Sequence, residues 1–380
     1  MKGTKYFWLA AMLCLASCTP NGVLIDETPE PEEAPRRIGF ETFVNKALRA
    51  AGTNSNELND FYPTFNVYGW KFVGGLETCV FNNVPVEYFA ADAAGSVVYT
   101  SGKPSNEWNA FSAGWYYQDI RYWDQMASNY QFSAYAPAAA SSDVDCESDG
   151  TIKIGDNSSP ITVDAKNLMA TPATELAYTG FNLDYMTATA TSATSPVSLT
   201  FKHLQAKFNV RIKLAASVTT AQDVSVQKVE IHNLGDKAYY LSSAVAPAVD
   251  GWTLDNTPTP TYVPKVHTAY SLNNAVKNYH NHYVLEQLII PQTISKAASS
   301  APSLSEFTEA CVYVEYKIGA ETFKNFTPLA NIFDDSAATT YDFKAGNQYT
   351  LNITIGPAPI YFEPQVATWA TATEGNLNQN

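Results

Sequence analysis

Apolar residues in this chain recur at every second position. In Ile38-Gly39-Phe40-Glu41-Thr42-Phe43-Val44 they put Ile38, Phe40, Thr42 and Val44 on one side of an extended strand, and Phe208, Val210, Ile212 and Leu214 repeat the pattern in the second half. Long helical patterns are scarce, and the short alternating runs are separated by clusters of Gly, Pro, Asn, Asp and Ser. Such a chain buries sheet faces, not helix stripes. The expected class is all-β, with two antiparallel β-sandwich domains in tandem.

Strands are expected at 64–72, 84–89, 97–99 and 129–135, then at 224–232, 282–290, 311–318, 348–355 and 360–362. A Ser/Thr/Ala-rich stretch at 187–195 closes the first half, which divides the folded part into 38–195 and 196–380. No motif repeats at a fixed period, so a solenoid is excluded.

Two lysines, Lys2 and Lys5, precede an apolar run from Tyr6 to Ala16, the layout of a secretory signal at residues 1–17. It ends in Leu15-Ala16-Ser17-Cys18, which resembles the bacterial lipobox, so Cys18 is the expected lipidation site and the link to the outer membrane. Residues 18–37 are rich in Pro and Glu and have little to bury, as in a flexible tether. Removing the signal takes away two positive charges and moves the net charge from −14 to −16. Phosphate binding needs a basic footprint, so nucleic acid is not an expected partner. Three cysteines remain besides Cys18, namely Cys79, Cys146 and Cys311, an odd and widely spaced set that is no disulfide framework.

Little announces chemistry. His280 and His282 stand two apart on an expected strand but lack a third ligand nearby, so no metal site is assigned. The run from Asp143 to Asp149 before Gly150 resembles the start of a calcium loop, but the glycine comes too late and no distal glutamate follows, so a solvated acidic loop is favoured. No catalytic motif is present and no cofactor is implied. The densest aromatic segment, Trp115 to Trp123, admits two readings: sheet packing, or a sugar-stacking platform.

Several segments in order resemble the fimbrillin family of surface pilins. They are the lipobox, Ile38-Gly39-Phe40 through Arg49-Ala50, Tyr122-Trp123, Tyr130-Gln131-Phe132-Ser133-Ala134-Tyr135-Ala136-Pro137, Leu199 to Phe208, Lys344 to Ile353, and Ile360-Tyr361-Phe362 running to Trp369. The resemblance implies transthyretin-like sandwiches, export as a lipoprotein, and a cut between Arg49 and Ala50 by an arginine-specific protease. Arg36 and Arg37 are poorer sites, because a cut there leaves the strand attached. Loss of Ile38, Phe40 and Val44 would open a groove for a strand of another pilin subunit, and the family supplies that strand from the C-terminal region, here Ile360, Phe362 and Val366. A ligand on a host or bacterial surface is a further implied partner. The alternative reading is a monomeric, lipid-anchored glycan-binding protein using Trp108, Trp115 or Trp123.

Overall fold

The computed structural model describes residues 36–44, 58–60, 62–91, 97–98, 113–140, 142–162, 183–218, 224–243, 248–255, 270–272, 283–296, 308–334, 336–356 and 360–368. Cys18, Arg49, Ala50, Trp108, His280, His282 and the tail from Trp369 lie outside them.

The first half contains β1 (Phe40–Val44), β2 (Thr64–Val73), β3 (Leu76–Ala91), β4 (Val97–Val98), β5 (Gly114–Tyr116), β6 (Asn129–Ala136), β7 (Val144–Cys146), β8 (Ile152–Ile154), β9 (Ile161–Thr162) and β10 (Met186–Ser192). Then come β11 (Val197–His203), β12 (Ala206–Leu214), β13 (Val224–His232), β14 (Lys237–Leu241), β15 (Trp252–Leu254), β16 (Tyr270–Leu272) and β17 (Tyr283–Ile289). The chain continues through β18 (Gln292–Ser295), β19 (Cys311–Ile318), β20 (Glu321–Pro328), the short helix α1 (Leu329–Phe333), β21 (Thr340–Phe343), β22 (Asn347–Ile355) and β23 (Tyr361–Thr368). The all-β expectation holds.

Eight strands form the first sheet, in the order β1-β11-β10-β6-β2-β3-β4, with β5 on β3. Its inner face buries Phe65, Phe81, Phe132, Leu199 and Phe201 in one core. Phe40, at one margin of the sheet, lies 5.5 Å ring to ring from Phe81 near the other. The sheet therefore curls until its first and last strands share a core, as right-handed twist promotes.

The strand β10 runs into the Ser/Thr/Ala-rich stretch that the sequence suggests as the close of the first half. Its sequence, Met-Thr-Ala-Thr-Ala-Thr-Ser, shows little hydrophobic face because after Met186 its inward side chains are small. Between β6 and β11 small inward residues are what the curled sheet accommodates, with Met186 and Ala188 buried in the shared core.

A sandwich occupies the second half. The sheet β17-β12-β22-β23 faces β16-β13-β19-β20, and Phe208, Val210, Ile212, Val229, Ile231, Val312, Leu351 and Ile353 fill the space between. Two pairings depart from the antiparallel expectation: β1 with β11, and β12 with β22. Each joins strands far apart in sequence, where no tight hairpin imposes opposite direction.

A further sheet, β15-β14-β8-β7 with β9 on β14, takes strands from both halves. It covers the outer face of the curled sheet, packing Val144, Ile152, Ile154 and Trp252 with Tyr68, Trp70 and Tyr135.

Candidate functional site

The site is the place held by β1. Period-two alternation aims Ile38, Phe40 and Val44 into the shared core, and Thr42 is buried beside them. Phe40, 6% exposed, meets Phe65, Phe81, Tyr117 and Phe132 edge-on at 5.5 to 6.1 Å. Edge-to-face contact suits the aromatic quadrupole and adds to the gain from burial. Thr42 Oγ1 accepts the Leu58 amide at 3.4 Å.

The backbone of β1 is held unevenly. Among the described residues its Phe40–Val44 backbone pairs on one side only, in parallel with β11, running from Phe40 opposite Val197 to Val44 opposite Phe201. It is therefore an edge strand, the kind of element that a strand from another chain can replace.

From Arg36 to Gly39 the grip is two-sided. On one flank Ile38 N donates to Arg121 O and Trp123 N to Arg36 O, both at 2.9 Å, with Arg37 bridged to Tyr122. The Tyr117 hydroxyl donates to Ile38 O at 2.7 Å, and burial pushes its pKa upward, which keeps the donor proton in place. On the other flank Val197 N donates to Gly39 O at 2.7 Å. Ser195 Oγ accepts from Gly39 N at 3.0 Å and from Trp123 Nε1 at 2.8 Å, and it donates to Arg37 O at 2.5 Å. The sequence gives no signal for Ser195, which sits in a stretch that looks like a linker, nor for Tyr117, one of many tyrosines.

The C-terminal strand β23 is the edge of its own sheet, antiparallel to β22. Ile360 and Phe362 are partly buried against the sandwich core, whereas Val366 is 50% exposed. Pro364, opposite Leu351, lacks an N–H and is tolerated because the strand is an edge.

Trp115 belongs to the core. It is 7% exposed and packs edge-on against Phe65 at 4.9 Å and Tyr88 at 5.3 Å. It therefore offers no face to a sugar. Trp123 is half-buried, edge-on to Tyr130 at 4.6 Å, and its indole N–H is taken by Ser195.

The acidic run resolves into separate contacts. Residues 147–151 turn between β7 and β8, Gly150 adopts a φ of 84° there, and Asp149 Oδ1 accepts the Thr151 amide at 2.9 Å. Hydrogen bonding from Thr151, its side chain first and then its amide, holds the Asp149 carboxyl below its ordinary value. Glu147 pairs with Lys153, and Asp143 accepts from the Tyr185 hydroxyl at 3.2 Å. Among the described residues no three His, Cys, Asp or Glu side chains converge as metal ligands. Cys79, Cys146 and Cys311 are free, and burial raises the thiols of Cys146 to about 12 and Cys311 to about 11, so neither is a nucleophile near neutrality.

A model of the fimbrillin-like family matches residues 80–369, well over half of the sequence. The chain belongs to the fimbrillin-like family. A fimbrillin-like protein is a structural, non-enzymatic molecule, a fimbrial subunit that assembles with other subunits at the cell surface. Among solved structures, a fimbrial protein from Bacteroides vulgatus aligns at 14% identity over 88% of this chain and 100% of its own, with a TM-score of 0.47. The tip fimbrial protein Mfa3 from Porphyromonas gingivalis, with a C-terminal truncation, aligns at 11% identity over 88% and 100%, with a TM-score of 0.37. No curated protein matches this sequence.

Proposed function

We propose that this fimbrillin-like chain is a pilus subunit made as a precursor anchored through Cys18, cut after Arg49, and assembled by exchange of β1 for a strand of a neighbouring subunit. The observation that carries the reading is the seating of β1: three apolar side chains in an aromatic core, on a strand whose 40–44 part has, among the described residues, a ladder on one side only. Removing β1 exposes Phe65, Phe81 and Phe132 to water and leaves the β1-facing edge of β11 without a partner. Both penalties vanish when another strand enters.

The cut falls between β1 and Leu58, so it separates the strand from the body it fills. Arg36 and Arg37 are poor substitutes, since their backbone is already paired with the 122–123 segment and a protease needs an extended stretch free of such pairing. The strand donated onward is β23 with the residues after it, led by Ile360, Phe362 and Val366. On this reading the folded chain is two units, one around the curled sheet and one around the sandwich.

The test is Arg49→Ala. The variant is expected to fold and to remain monomeric under treatment with an arginine-specific protease that converts the parent to ladders. Normal polymers from the variant would overturn the assignment of the cut.

A further inference from the structure

We propose that Ser195, with Trp123 and Tyr117, is a latch that retains β1 after the chain is cut and makes strand exchange begin at the Val44 end. The inference rests on the strand-exchange reading above and adds an order of events to it. A cut beyond Val44 leaves β1 bound only through its own contacts, and these are distributed asymmetrically. Among the described residues the backbone of its C-terminal part pairs with β11 alone. Its first residues are bonded on both flanks, to Arg121 and Trp123 on one and to Ser195 and Val197 on the other.

Ser195 is the node of that arrangement because one hydroxyl serves three groups. It receives the Gly39 amide and the Trp123 indole and donates its own proton to Arg37 O. Trp123 is in turn fixed by its edge-on contact with Tyr130 at 4.6 Å, so the indole N–H is aimed before the strand arrives. Tyr117 closes the opposite flank, its ring against Phe40 at 5.8 Å and its hydroxyl on Ile38 O. Peeling from the Arg36 end must break all of these together, whereas peeling from Val44 breaks one ladder contact at a time. A second strand therefore gains its first foothold beside Phe201, opposite Val44.

The test has two arms. Hydrogen exchange on the uncut chain needs no processing event: the amides of Ile38 and Gly39 are expected to be more protected than that of Phe43, the last β1 amide turned toward β11, and Ser195→Ala to speed exchange at Gly39 about tenfold, as expected for a lost hydrogen bond with its partners left behind. Ser195→Thr, which keeps the hydroxyl, is expected to restore the slow rate. In the second arm the parent and Ser195→Ala chains are cut between β1 and Leu58, and departure of the N-terminal fragment is followed by native mass spectrometry. Faster departure from Ser195→Ala supports the latch. Equal departure rates, or a Phe43 amide more protected than Gly39, would overturn it whatever polymers form. Fast departure without polymers would sink the strand-exchange reading and leave the latch standing.

Discussion

Phe40 is the residue on which the seating of the first strand turns. Truncating a buried phenylalanine removes its transfer free energy and leaves a cavity, so Phe40→Ala is expected to cost about 3 to 5 kcal/mol in urea unfolding. Phe43, three residues on and therefore on the opposite side of the strand, is only half-buried, and Phe43→Ala is expected to cost markedly less. Equal costs would contradict the assignment of faces. Trp115→Ala tests the discarded sugar platform: loss of about 3 to 5 kcal/mol places the ring in the core, and an unchanged midpoint would contradict its burial. The buried phenols give a pH dependence. Burial raises the pKa of Tyr117 above that of a free phenol, about 10, and does the same for Tyr62 and Tyr185. Between the unfolded and folded values the unfolded state has released protons that the folded state keeps, so these groups support the fold fully below pH 10 and that support is lost as pH rises above it. A midpoint in urea that stays level from neutrality toward pH 10 and then falls is the expected profile.

At the scale of elements, legibility followed side-chain contrast. The strand β13 sets Val and Ile against polar residues and β19 is a run of Val and Tyr, and both are readable end to end at 224–232 and 311–318. The strand β10 is not, because Thr and Ala alternate with too little difference in hydrophobicity to show a face. The uneven grip on β1 was equally hidden, since it depends on Ser195 and residues 121–123 meeting Arg36 to Gly39 across the fold. The outer strand β23 is the complementary element. Val366 is largely exposed while Phe362 packs on the core, so Val366→Asp is expected to change unfolding of the monomer by less than about 0.5 kcal/mol, and Phe362→Ala by more. If β23 is the donated strand, Val366→Asp also slows polymer growth from the cut protein. A Val366→Asp chain that is unstable as a monomer would contradict the exposure of that position.

The whole molecule is joined more tightly than a chain of two beads. Only Leu204 and Gln205 separate β11 of the curled sheet from β12 of the sandwich, and both are buried. Trp252 Nε1 donates to Leu204 O at 2.6 Å, Gly346 N donates to Gln205 O at 2.9 Å, and Tyr185 N donates to Gln205 Oε1 at 3.2 Å. The sheet that carries Trp252 draws strands from both halves and packs on the curled sheet. Loss of β1 would thus open one groove in a body braced elsewhere, which is what the proposed strand exchange requires. The most direct test is digestion of the purified precursor with an arginine-specific protease, followed by N-terminal sequencing and size analysis. The account predicts a new N-terminus at Ala50, departure of the fragment carrying β1, and growth of ladders. A clean cut at Arg49 that leaves a stable monomer with its groove empty would contradict it.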